Sequence, residues 1–163
     1  MLGTEKCPAS PPNRARKNEE RREFAVAVGS GGLLILMPAV VYGGTSILSL
    51  LVGDPKYADN QLGQDLWRAG HAHAGVLLVL ALVTLRYVDE ATLPEALTSF
   101  VRHSIPAAAV LLPAAFFLSV LSPEATEPNA LISLAYVGAV SLAAGLLMLG
   151  IGLVRRHEGD RVR

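Results

Sequence analysis

The sequence predicts an all-α, polytopic membrane protein with four transmembrane helices and both termini on the cytoplasmic side. Three observations carry that expectation. Of the 163 residues, 52% are hydrophobic and only 17% are charged, where soluble domains carry roughly 25% charged residues. Four segments, Phe24–Val52, Ala69–Leu85, Ile105–Leu121 and Ala130–Val154, contain no Asp, Glu, Lys or Arg, and each is near or above the length needed to cross a bilayer. Lys and Arg are distributed unevenly among the segments that join them.

Orientation follows from that distribution. Lys6, Arg14, Arg16, Lys17, Arg21 and Arg22 lie in the N-terminal tail, Arg86 and Arg102 flank the middle connection, and Arg155, Arg156, Arg161 and Arg163 lie in the C-terminal tail. The first and third connections hold only Lys56 and Arg68. Cytoplasmic loops carry the excess of basic residues, so the expected path is in, out, in, out across an inner (plasma) membrane of bacterial type. A basic cytoplasmic tail over 1–23, a transmembrane domain over 24–154 and a basic tail over 155–163 are expected, with spans at about 24–52, 66–86, 104–121 and 129–154. The formal net charge is zero. The basic tails read as topology signals and contacts with anionic lipid, with no call for nucleic acid. Cys7 has no second cysteine to pair with.

Residues 1–17 hold Pro8, Pro11 and Pro12 among small and basic residues and read as a disordered lead-in, with Asn18 able to cap a turn through Glu19 and Glu20. They contain no apolar h-region, so the first span is expected to act as the insertion signal. That span opens with Gly29-Ser30-Gly31-Gly32, small enough for close helix packing. Pro38 frees the carbonyl of Leu34 and predicts a mild kink. Tyr42, Thr45, Ser46 and Ser49 make its outer half polar, with hydroxyls able to bond back to their own helix. The outer connection Gly53 to Gln64 reads as a turn, with Tyr57 and Trp67 as interfacial anchors. Between the second and third spans, Pro94-Glu95-Ala96-Leu97 reads as a short surface helix. Pro106 is placed in the first turn of the third span and Pro113 in its interior. Pro128 fits the first turn of the last span, whose Ala139/Ala143 and Ser141/Gly145 pairs predict tight packing.

The chemistry-bearing stretch is Asp65 to Arg86, DLWRAGHAHAGVLLVLALVTLR. As a helix it spans roughly 31 Å, about the thickness of the hydrocarbon core. His71 then lies about 9 Å and His73 about 12 Å below the outer edge, where polar side chains are costly. Two residues apart on a helix means about 200° of rotation, so the imidazoles point to opposite sides and cannot grip one metal ion together. Gly70, Ala72, Ala74 and Gly75 leave room around them for a planar group or for close helix neighbours. Each ring needs a polar partner; Tyr42, Ser46, Ser119, Ser133 and Tyr136 are the candidates.

The segment RAGHAHAGVLLVLAL resembles the His-x-His helix of haem–copper oxidase subunit I, and it also resembles the histidine-containing helices of small, uncharacterised four-helix bacterial membrane proteins. The oxidase resemblance implies His71 and His73 as axial haem ligands. His103 and His157 are expected on the far side of the membrane, so no second intramembrane histidine completes a bis-histidine site or a copper centre. Haem here is expected to be five-coordinate, ligated otherwise, or shared between subunits.

Other chemistries use the same residues. No carboxylate lies inside the spans to carry a proton-coupled transport cycle, although a histidine pH gate at the outer side is conceivable. A serine nucleophile would need His71 or His73 beside Ser119 or Ser133. A Zn²⁺ or Cu²⁺ site would combine His71 with Asp54, Asp59, Asp65, Glu124 or Glu127. The leading expectation is a small haem- or metal-binding redox or accessory protein, and the alternative is a cofactor-free structural or assembly subunit. With costly polar groups on opposite faces of one helix, either reading predicts a homo-oligomer or a partner in a membrane complex.

Overall fold

A computed structural model describes residues 13–161. The tail through Pro12, with Cys7, and the last residues Val162 and Arg163 lie outside the described residues. Five α-helices follow one another: α1 (Asn13–Gly53), α2 (Pro55–Asp59), α3 (Gln61–Tyr87), α4 (Glu95–Ser119) and α5 (Ser133–Arg161), with 3₁₀ turns at Val88–Glu90 and Ala130–Ile132. No strand occurs among the described residues. Four helical stretches, Ala27–Gly53, Gln61–Glu90, Glu95–Ser119 and Ala130–His157, are long and apolar enough to cross a membrane. The chain is a multi-pass membrane protein built as a four-helix bundle.

The helices pack in chain order, α1 on α3, α3 on α4 and α4 on α5. The core runs along this order through Leu77, Leu78, Ala81 and Leu85 of α3, Val101, Ile105, Ala109 and Leu112 of α4, and Leu149 of α5. From α1 it takes Leu33. Many other apolar side chains, among them Ile35, Val41, Val52, Val76, Val140 and Leu147, face outward, as lipid-facing residues do in a medium as apolar as they are.

Small residues set the α4–α5 contact. A Cβ on Gly145 would stand 2.6 Å from Ser104 Oγ and 2.8 Å from Ile105 Cγ1, and one on Gly138 would stand 3.0 Å from Leu112 Cγ. Gly152 comes equally close to Leu93 and Ala91. These glycines recur every seven residues, the spacing that keeps one seam facing a partner helix in left-handed crossings. Ser141 lies in the same seam and donates a hydrogen bond to the Ser104 carbonyl at 3.4 Å. The close packing expected from Ser141/Gly145 is therefore present.

Several local features differ from their sequence expectations. Helix α1 runs unbroken from Asn13 through Asn18, so Asn18 is inside the helix, and Arg16 pairs with Glu20 one turn on at 3.5 Å. Pro38 lies inside this continuous helix, as its place in the first span implies. Pro94 caps α4 and does not begin a separate surface helix; in consequence Pro106 lies in the interior of α4, as Pro113 does. Pro128 lies before Asn129, whose side chain caps the 3₁₀ turn leading into α5. Helix α3 starts at Gln61 because Asn60 caps it by accepting from Gly63 N. A capping asparagine sets the start of α3 and of the turn before α5, Pro94 stands at the start of α4, and the edge of the apolar run sets none of the three.

The two ends of the bundle are tied by different chemistry. At one end, Asn60 donates to the carbonyls of Pro123 (2.8 Å) and Ala125 (3.2 Å), and Lys56 pairs with Glu124 at 3.0 Å. Both loops at this end are thereby fixed to each other. At the other end, Asp89 pairs with Arg102, and Glu90 pairs with Arg86 at 3.6 Å and Arg156 at 3.0 Å. Thr92 N donates to the Gly152 carbonyl at 3.0 Å. The 88–93 connection and the C-terminal part of α5 therefore share one end.

Candidate functional site

The two histidines of α3 diverge towards different neighbours. His71 turns to α1, where its Cε1–Nε2 edge lies 2.9 Å from the position of a Cβ on Gly44; Gly43 borders the ring at Nδ1. A glycine pair in α1 is what lets the imidazole come this close to the backbone. The ring is half-buried, and it makes no hydrogen bond among the described residues. Below it a groove of about 430 Å³ opens along the α1–α3 seam, lined by Val40, Ala72, Gly75, Val76 and Val79 with His71 itself.

His73 turns to the α4 side, with its ring centroid 5.2 Å from that of Phe116. Its Nδ1 stands 2.7 Å from the carbonyl oxygen of Ala69. A carbonyl only accepts, so Nδ1 carries the proton, and in the neutral ring Nε2 holds the lone pair. His73 is exposed on the bundle surface. The opposed geometry expected of a His-x-His pair is thus what the helix presents.

The small residues around the pair are used unequally. Gly70 is buried, and a Cβ there would meet Phe117 Cε2 at 3.1 Å and Phe116 Cβ at 3.2 Å. It admits the α4 aromatics. Gly75 meets only Val40, at 3.8 Å, and lies open to the groove. Ala72 is exposed and Ala74 half-buried.

None of the five expected partners hydrogen-bonds to either histidine. Ser46 donates to the Tyr42 carbonyl (2.9 Å), Ser119 to that of Phe116 (2.9 Å) and Ser133 to that of Ala130 (2.7 Å). Thr45 likewise donates to the Tyr42 carbonyl at 2.8 Å. Back-bonding satisfies these hydroxyls locally. Tyr42 and Tyr136 are exposed side chains.

Three of the five acidic candidates, Asp54, Asp65 and Glu124, are engaged elsewhere. Asp54 caps α2 by accepting from Lys56 N and Tyr57 N, Asp65 accepts from Gln61 at 2.9 Å, and Glu124 holds Lys56. Among the described residues, no three of His, Cys, Asp and Glu form a metal-binding group. The expected combination of His71 with these carboxylates is not assembled.

No family model, curated protein or solved structure matches this chain. The likeness to the oxidase helix accordingly gains no support from the wider comparison.

Sequence reasoning missed the polar cap over α3. Gln64 is buried, donates to the carbonyls of Tyr57 (3.2 Å) and Ala58 (2.7 Å), and accepts from Arg68 at 3.0 Å. Tyr57 is 7% exposed, and its hydroxyl is buried without a partner. Burial raises the Tyr57 pKa above its usual value, and the Arg68 charge opposes that shift. The ring stacks obliquely on Trp67 at 5.8 Å, and Trp67 meets Phe117 edge-on at 5.9 Å. The signal was Asn60 followed by Gly63 and Gln64, a helix start that the turn-like composition concealed.

Proposed function

We propose that this protein is a small membrane redox or accessory protein that holds haem through His73. The observation that carries this reading is the hydrogen bond from His73 Nδ1 to the Ala69 carbonyl. Such a bond fixes the ring and its tautomer and leaves Nε2 as the ligating nitrogen. Phe116 supplies an aromatic wall beside it. Haem suits this surface better than a lone transition-metal ion, because it needs one axial protein ligand where a tetrahedral site needs three or four. His71 is the weaker ligand, since its Nε2 abuts α1 at Gly44.

Haem bound at an exposed imidazole needs cover on its other face. A second copy of the chain, or a partner in a membrane complex, supplies it in this reading. Both termini face the cytoplasm and the protein resides in the plasma membrane: twelve of the fourteen Lys and Arg residues fall in the tails or flank the middle connection.

The second reading, a cofactor-free structural or assembly subunit, is favoured by the seating of His71 against Gly44, which makes that ring a packing element. An absorption spectrum of protein purified in mild detergent from haem-supplied cells decides between them. A Soret band present in the native chain and lost in His73→Leu supports haem ligation. Its absence from the native chain favours the assembly subunit.

A further inference from the structure

The aromatic side chains are sorted by place. Phe24, Tyr42, Tyr87, Phe100 and Tyr136 are exposed, whereas Tyr57 is buried and Trp67, Phe116 and Phe117 are half-buried. These last four form a row that ends on His73. Tyr57 meets Trp67 at 5.8 Å between ring centroids, and Trp67 meets Phe117 at 5.9 Å. Phe116 adjoins Phe117 in the chain and meets the His73 ring at 5.2 Å. All three separations are those of aromatic groups in contact. Gly70 lets α3 and α4 approach closely enough for this, since a Cβ there would stand 3.1 Å from Phe117 and 3.2 Å from Phe116.

We propose that this row is the path by which a single electron reaches a haem on His73 from a one-electron donor at the α2 end of the bundle. The proposal rests on the haem reading and adds to it the end from which the electron enters. Electron tunnelling falls off steeply with distance and is faster through packed atoms than across gaps, so touching rings are a better medium than lipid. In the step the donor loses one electron and ferric iron becomes ferrous; no bond forms or breaks and no proton moves. The rings conduct without being oxidised. Tyr57 agrees with that role, because its hydroxyl is buried without a partner and no base is in place to take the proton that an oxidised tyrosine gives up. Length alone does not choose the end: His73 lies about 18 Å along α3 from Gln61 and about 21 Å from Tyr87. Among the described residues the row stops at His73 and has no counterpart leading to the other end.

The test uses the full-length protein purified with haem in mild detergent and carrying Cys7→Ser, which removes the only cysteine. A ruthenium–bipyridine photoreductant is then attached through Gln61→Cys at the α2 end or through Tyr87→Cys at the other end; both positions are exposed. After a flash, the first-order appearance of ferrous haem is followed in the Soret band. Trp67→Leu should slow reduction from the label at position 61 by about an order of magnitude and leave reduction from the label at position 87 unchanged. The unchanged rate shows that fold and haem survive the substitution. Phe117→Leu should act in the same way, and Phe100→Leu, off the row, should change neither rate. An unaltered rate from position 61 in both Trp67→Leu and Phe117→Leu, with the Soret band intact, would overturn the row and leave the haem reading standing. A native chain without a Soret band would overturn both.

Discussion

The Cε1–Nε2 edge of His71 fills the space where a side chain on Gly44 would begin, 2.9 Å from the position of that missing Cβ. Each residue therefore limits the other. Gly44→Ala should force the ring or α1 to move and should lower stability by about 1–3 kcal/mol, the usual cost of overpacking. Thermal unfolding in detergent measures it. Combined with His71→Ala, the loss should be smaller than the sum of the two single effects, because the clash disappears with the ring.

The α4–α5 seam makes a second prediction with an internal control. Gly145→Val should destabilise by about 1–3 kcal/mol, since even a Cβ would meet Ser104 Oγ at 2.6 Å. Gly150, on the same helix, has nothing within 4 Å. Gly150→Ala should be neutral or stabilising by up to about 1 kcal/mol through helix propensity. Comparable losses for both substitutions would show that the seam is not where α5 is held.

Asn60 joins two loops and caps a helix at once. Asn60→Ala should cost about 2–3 kcal/mol from the cap and two carbonyl bonds together. It should also speed proteolysis between Ser122 and Asn129. Asn60→Asp keeps the acceptor for Gly63 N but loses both donors, so it should retain the helix start while still exposing the loop.

Tyr57 predicts an alkaline limit. Its folded pKa is raised, chiefly by burial, so above about pH 10 the unfolded chain gives up this proton more readily than the folded one. Stability should be retained below the unfolded value and lost as pH rises from there through the folded value. Tyr57→Phe should flatten that loss. It should also raise stability at neutral pH by about 1 kcal/mol, because the hydroxyl it removes is buried and unpaired. Unfolding measured between pH 8 and 12 checks both.

Much of this architecture is legible in composition and charge. The four spans follow from runs without Asp, Glu, Lys or Arg, and the divergence of His71 and His73 follows from helical periodicity alone. The helix ends do not follow from the apolar runs, because Asn60, Pro94 and Asn129 set them from outside. The hydroxyls follow the back-bonding that the sequence also allows for α1, and they do not reach the histidines. Ser46, Ser119 and Ser133 can reach a carbonyl of their own chain within one turn, and a local acceptor displaces any longer-range bond that spacing proposes. The seating of His71 on Gly44 joins residues far apart in the chain, and only packing reveals it.

Helix α1 has one further consequence. It extends over residues 13–26 before its membrane-spanning part begins, about 21 Å of continuous helix rich in charge. The same helix rests chiefly on α3 and buries little beyond Leu33. Mechanically, that is a rod whose charged arm of about 21 Å is the shorter one, against about 40 Å for Ala27–Gly53, and whose main support is α3. A load applied near Asn13 turns into tilt of the whole rod, and the contact where that tilt is felt is the seam that carries Gly44, His71 and the groove below them.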